Sequence, residues 1–221
     1  MIDIEEYKNF MGITSFPNFQ IDFFKVDLNQ EFIQVAQAMY DSESGSHMLR
    51  IPSNIETPRF LLYHELTHIY DMDIHKTGEK NHDFCLNGFM EYHASQIELL
   101  IMMGAKAIED SISFSMNDSV YGLNWSVQQY MGNKLQTSII LINDENRQKR
   151  IEGLGAFYNF LGLKSICKMF AVDYIEDYSY QEIAMKVSSQ LFYEIRNTMT
   201  GWIGDIDKVV SLYSNMLAAI L

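Results

Sequence analysis

The sequence predicts an α+β protein, with a small N-terminal β-sheet followed by a mainly helical C-terminal part. All three prolines lie at or before Pro58, and helix interiors exclude proline, so the long remainder is suited to helices. Before that point, short apolar segments are separated by polar turns, which is typical of strands. The 221 residues are enough for one domain, or for a core with an appended subdomain.

Three N-terminal segments are predicted to be strands, at about 20–26, 33–40 and 47–51. The middle segment also fits a helical stripe of apolar residues. The polar, glycine-containing connection at 41–45 favours a β-hairpin instead. We therefore expect a hairpin shortly before the helical part begins.

Helical signals begin at Thr57 and Pro58, which are suitable residues for the N-cap and the first position of a helix. This helix is predicted to continue to about Met72. A second helix is predicted to begin at an Asn87 cap and to end at about Met103.

The remaining sequence is divided between one irregular segment and several helices. Residues 105–134 show no regular pattern. Three further helices are predicted, at about 144–171, 179–199 and 205–220. The second of them opens with a capping box from Ser179 to Glu182. This prediction divides the chain into a core at 1–104 and a helical C-terminal subdomain at 105–221 that packs on it.

Composition limits the classes of partner. The chain carries 29 acidic and 16 basic residues, whereas binding to nucleic acid needs clustered lysine and arginine. Its longest apolar run, 99–105, is far shorter than the roughly 18 residues that span a membrane. The first residues are acidic where a secretory signal would be basic. We therefore expect a cytoplasmic protein with no nucleic-acid or membrane partner, in which Cys85 and Cys167 are reduced.

One motif indicates chemistry. Residues 64–68 read HELTH and match HExxH inside the first predicted helix. His64 and His68 are one helical turn apart, so both imidazoles can bind one metal ion. Glu65 lies at the rim of that face, where its carboxylate can reach a metal-bound water.

A catalytic zinc site usually has a third protein ligand and leaves one position for water. The metzincin pattern HExxHxxGxxH does not fit, because Asp71 replaces its glycine and Ile74 its third histidine. The gluzincin pattern, with a glutamate on a separate downstream helix, fits better. In it, Glu91 is the expected third ligand and Glu98 the alternative.

The HELTH motif and the ExxA sequence at 91–94 resemble gluzincin-type zinc metallopeptidases, and the chain is similar to the ImmA/IrrE group. The resemblance covers about residues 33–98. It implies a zincin-like fold in which His64, His68 and Glu91 hold Zn²⁺ and Glu65 is the general base for peptide-bond hydrolysis. The implied partner is a protein or peptide substrate, which zincins usually bind along an edge strand, here expected at 47–51.

Several roles remain open at this point. Related gluzincins orient a zinc-bound histidine with an aspartate four residues after the ligand glutamate. Ser95 stands there, so another group such as Asp71 would have this role, unless Asp71 is a surface or capping residue. His75 and His82 are expected in a polar loop at 73–83, and His93 on another side of the helix from Glu91. Nothing in the sequence selects a residue to stabilise the oxyanion.

Two functions of other classes compete with the peptidase. The first is a zincin-fold binding or regulatory module without peptide turnover, which the intact Glu65 disfavours. The second is a metal-free helical interaction protein, for which the long helical tail and the 14 methionines would argue.

Overall fold

A computed structural model describes residues 3–27, 35–176 and 180–221 of the protein. Its elements confirm an α+β fold. In chain order they are α1 (Ile4–Met11), β1 (Phe19–Phe24), β2 (Gln37–Asp41), β3 (Ser46–Pro52), α2 (Arg59–His75), α3 (Lys80–Cys85), α4 (Asn87–Met102), α5 (Val127–Ile142), α6 (Arg147–Phe170), α7 (Gln181–Ala184), α8 (Ser189–Thr198) and α9 (Ile206–Ile220).

The three strands form one mixed sheet in the order β1-β3-β2. β3 pairs in parallel with β1 and antiparallel with β2, with Ala38 opposite Leu49. The expectation that 47–51 is an edge strand is therefore wrong, because β3 is central and β2 is an edge. Sequence alone does not show this order, because β1 pairs with β3 and not with β2, the next strand in sequence. Of the predicted strand 33–40, residues 33–34 lie outside the described residues.

The motif helix α2 begins at Arg59, one residue later than the predicted first position Pro58. Pro58 is at the N-cap, with no side-chain hydrogen bond. The Thr57 hydroxyl instead donates to the carbonyl oxygen of Val35, 3.3 Å away, so it ties the entry loop to the chain before β2. The helix continues to His75, beyond the predicted Met72.

The predicted polar loop at 73–83 is partly helical. After α2, the Glu79 carboxylate accepts hydrogen bonds from the N–H groups of Asn81 and His82 and so caps the short helix α3. Because α3 ends next to α4, Leu86 is at the N-cap of α4 and Asn87 is already its first residue. The predicted Asn87 cap is therefore wrong, while the extent of this helix is confirmed within one residue.

Two helices, α1 and α5, were not predicted from the sequence. α1 is capped by Asp3 at its start and by Gly12 after its last residue, Met11; the φ of 67° at Gly12 favours glycine. α5 begins inside the segment predicted to be irregular. Its capping box between Ser126 and Gln129 was visible in the sequence, but the glycines and polar residues before it concealed the signal.

The C-terminal helices agree in part with the prediction. α6 and α9 confirm the helices expected at 144–171 and 205–220. The helix expected at 179–199 is instead two helices, α7 and α8, and the Ser188 side chain caps the second. The predicted capping box from Ser179 lies outside the described residues.

Helix α4 lies between α2 and α6 and has contacts with both. Gly162 makes the close approach of α6 possible, because a Cβ there would lie 2.2 Å from the Tyr92 carbonyl oxygen. Both apolar cores of the molecule include residues of α4 and α6, so each draws on sequence before and after Gly104. The site described below depends on this central position of α4.

Both cysteines are buried as free thiols. Among the described residues, no helix combines the length and the apolar character that a membrane span requires.

Candidate metal centre

The structure brings together the three residues that the sequence nominated as metal ligands. α2 carries His64 and His68, and α4 places Glu91 against them. The two imidazole Nε2 atoms are 3.0 Å apart, and each lies 3.7 Å from Oε2 of Glu91. The three residues can together hold a metal ion.

The donor set fits a catalytic zinc. Two imidazole nitrogens and one carboxylate oxygen are a typical three-ligand set, which leaves a fourth position for water. With zinc–nitrogen bonds of about 2.0–2.1 Å, tetrahedral geometry separates the two nitrogens by about 3.3 Å. The observed 3.0 Å between His64 and His68 needs only a small adjustment.

Glu98, the alternative third ligand, lies on the other side of the His64 ring. Its Oε2 is 2.7 Å from His64 Nδ1, and its side chain is fully buried. The Tyr130 hydroxyl donates a hydrogen bond to its Oε1, and the Lys134 ammonium is 4.0 Å from the same oxygen. Glu98 is therefore placed to orient His64, which leaves Nε2 directed at His68 and Glu91.

Neither role left open for Asp71 holds: it is not at the surface, and it contacts His93 instead of a ligand imidazole. The buried Asp71 carboxylate contacts His93 Nδ1 at 2.8 and 3.1 Å. Ser95, four residues after Glu91, hydrogen-bonds to Asn159. The sequence could not reveal the role of Glu98, because its partners Tyr130 and Lys134 are on the unpredicted helix α5.

The other histidines lie outside the cluster. His75 is the last residue of α2, and its ring packs edge-on against Phe89. His82 is in α3, with its ring nitrogens near Asp83 and Asp207. Neither belongs to the metal group, as the sequence analysis expected.

Electrostatics favour ionised carboxylates at the centre. Burial raises the pKa of Glu91, but His68 and His64 outweigh it and lower the pKa to about 2. Burial likewise raises the pKa of Glu98, and Lys134 and His64 lower it to about 2. Burial lowers the pKa of His64, but the two glutamates outweigh it and raise the pKa to about 10. A metal that binds here at neutral pH must therefore displace a proton from His64.

Glu65 faces the edge strand. The main-chain N–H of Ala38 in β2 donates a hydrogen bond to its Oε2, with a nitrogen–oxygen distance of 2.6 Å. The carboxylate is half-buried and follows His64 directly on α2. It is thus close to the histidine cluster but is not a member of the ligand group.

A cleft of about 600 Å³ opens beside His68. The β2–β3 hairpin forms one wall, and α3 with the start of α4 forms the other. Residues from these walls and from the α2 floor include Tyr40, Ile69, Met72, Lys80, Phe84 and Met90. The cleft is large enough for a side chain, and its lining is partly apolar.

Comparisons with known proteins give no further guide. No protein-family profile matches the chain, and neither a curated protein nor a solved structure shows significant similarity to it.

Proposed function

We propose that the protein is a zinc-dependent metallopeptidase of a zincin-like fold. The observation that carries this proposal is the convergence of His64, His68 and Glu91 from two helices within reach of one ion. The HExxH glutamate next to this cluster supports a hydrolytic role, since a metal-holding scaffold alone has no need of it.

The residues have separate tasks in this mechanism. His64, His68 and Glu91 would hold Zn²⁺, which as a Lewis acid lowers the pKa of a bound water towards about 7. Glu65 accepts the proton of the attacking water and passes it to the amine that leaves. Glu98 keeps the His64 ring in the orientation that directs Nε2 into the site.

The edge strand β2 supports a peptide as the substrate. β2 packs against the motif helix. The hairpin to which β2 belongs also lines the cleft beside His68. A peptide added as a strand to β2 would present its side chains to that cleft. This proposal replaces 47–51 with β2 as the strand that binds substrate.

Metal analysis and one conservative variant test the proposal. Wild-type protein dialysed with Zn²⁺ should retain about one ion per chain and cleave members of an internally quenched peptide library. Glu65→Gln should retain the zinc and lose about 10²–10⁴-fold in rate, because the amide cannot accept a proton. The matched control is Glu56→Gln, since Glu56 is an exposed glutamate shortly before α2.

The outcomes separate the competing functions. Protein that retains no zinc would refute the metalloenzyme and favour a metal-free interaction protein. Protein that binds zinc but cleaves no peptide would favour a binding or regulatory module. Glu65→Gln that cleaves at the wild-type rate would refute the proposed mechanism whatever the zinc content.

A further inference from the structure

We infer that the main-chain N–H of Ala38 is a positioning group for Glu65, so that the strand expected to receive the substrate also fixes the general base. The inference rests on the proposed function. Its basis is the 2.6 Å hydrogen bond between this N–H and Glu65 Oε2. The bond joins two elements, β2 and α2, that are 27 residues apart in sequence at this contact.

The donor is available because of its place in the sheet. Among the strands that the structure describes, β2 is at the edge of the sheet and pairs on one side, with β3. Successive residues of an antiparallel strand alternate between those that exchange hydrogen bonds with the neighbour and those that face away. The Ala38 N–H is bound to Glu65, so it faces away from β3. Such an edge N–H would otherwise point to solvent or to an added strand.

The bond orients a side chain that is flexible on its own. Glutamate has several rotatable bonds and loses considerable conformational freedom when it is held in one position. A hydrogen bond from an N–H to an ionised carboxylate is shorter and stronger than a neutral one. With Oε2 held by Ala38, Oε1 of Glu65 remains to accept a proton.

The geometry also specifies where a peptide can pair. While Ala38 holds the base, its N–H cannot bind a peptide carbonyl. By strand alternation the next donor that faces the free edge belongs to Tyr40. A substrate strand therefore pairs at Tyr40. The strand β2 then positions both the peptide bond to be cleaved and the Glu65 carboxylate. Because both are bound to the same strand, the substrate is held in a fixed orientation relative to the general base, which favours reaction.

Hydrogen exchange tests the bond without any substrate. In zinc-loaded protein labelled with ¹⁵N-alanine, the Ala38 amide should exchange slowly although it is on a sheet edge, and Ala38→Ser identifies its signal. Glu65→Ala should increase its exchange rate by about tenfold or more. Glu56→Ala, which removes an exposed glutamate, should leave the rate unchanged. An Ala38 amide that exchanges equally fast in wild type and Glu65→Ala would overturn the inference.

An amide-to-ester substitution tests the positioning role. Replacing Ala38 by lactic acid deletes the N–H and leaves the side chain intact. With a peptide that the wild type cleaves, kcat should fall by on the order of 10-fold to 100-fold, with KM and zinc content unchanged. In a Glu65→Gln background the ester should cause no further loss. The corresponding ester at Tyr40 should raise KM instead of lowering kcat.

The results distinguish this inference from the proposed function. A wild type that cleaves no peptide refutes the proposed peptidase function, and the positioning role of Ala38 in catalysis fails with it. The exchange data still decide whether the bond exists. A wild type that cleaves peptides, with an Ala38 ester of unchanged kcat, refutes the positioning role alone.

Discussion

Two close pairs of a histidine and a fully buried carboxylate join the helices α2 and α4, with nitrogen–oxygen distances of 2.7 and 2.8 Å. In one, His64 of α2 is 2.7 Å from Glu98 of α4. In the other the residues are exchanged, and Asp71 of α2 is 2.8 Å from His93 of α4. Both carboxylates are almost completely excluded from solvent. Only the first pair includes a residue of the candidate metal site.

The difference lies in the surroundings of each imidazole. Across the His64 ring from Glu98, Nε2 faces Nε2 of His68 and the Glu91 carboxylate. The His93 ring is surrounded by the aromatic rings of Phe89 and Trp202. A buried histidine–carboxylate pair therefore does not by itself indicate a functional site. Further ligands on the other side of the ring make the His64 pair a candidate for metal binding.

Replacement of the two histidines should give the largest contrast. We expect His64→Ala to bind no zinc after dialysis, because one ligand of three is lost and the site keeps too few donors. His93→Ala should retain about one ion per chain, since His93 is not in the metal group. Elemental analysis of both variants measures this, with circular dichroism to confirm folding. Loss of zinc in His93→Ala alone would reverse our assignment of the two pairs.

Replacement of the two carboxylates should give a smaller contrast. Glu98→Gln should weaken zinc binding by about 10-fold to 100-fold, because the group that orients His64 loses its charge. Asp71→Asn, the matched change in the other pair, should alter zinc affinity by no more than about twofold. Competition with a chromophoric chelator measures both affinities. Equal losses in the two variants would mean that Glu98 acts only through general stability.

The pH dependence of stability should show the smallest effect. Burial lowers the pKa of His93, but Asp71 outweighs it and holds the pKa above the ordinary value of 6.5. The pair thus makes its full contribution to the free energy of unfolding below pH 6.5. This contribution is lost as the pH rises through the raised pKa of His93. In metal-free protein, the stability difference between wild type and His93→Gln should fall by about 1–3 kcal/mol between pH about 6 and about 9. Urea unfolding at several pH values measures it, and a pH-independent difference would contradict the ion pair.

The sequence determined by itself what depends on local spacing. The distribution of prolines and the apolar periodicity identified an α+β chain and most of its long helices. The HExxH spacing placed His64 and His68 on one face, because a helical turn fixes that relation whatever surrounds the helix. Glu91 followed from a resemblance, and the structure places it beside both histidines.

Only the tertiary structure decided which distant residues serve that site. The contacts of Glu98 with His64 and of Ala38 with Glu65 join elements that local pattern cannot bring together. Sequence reasoning assigned the edge position to 47–51, which was wrong, and left the role of Asp71 open between orienting a ligand and lying at the surface or in a cap. Strand order depends on the pairing of β1 with β3, which is not the next strand in sequence. The environment of each carboxylate depends on how α4 and α5 pack. Such long-range contacts are set by which helix faces are buried against each other, and the local spacing of residues does not predict this.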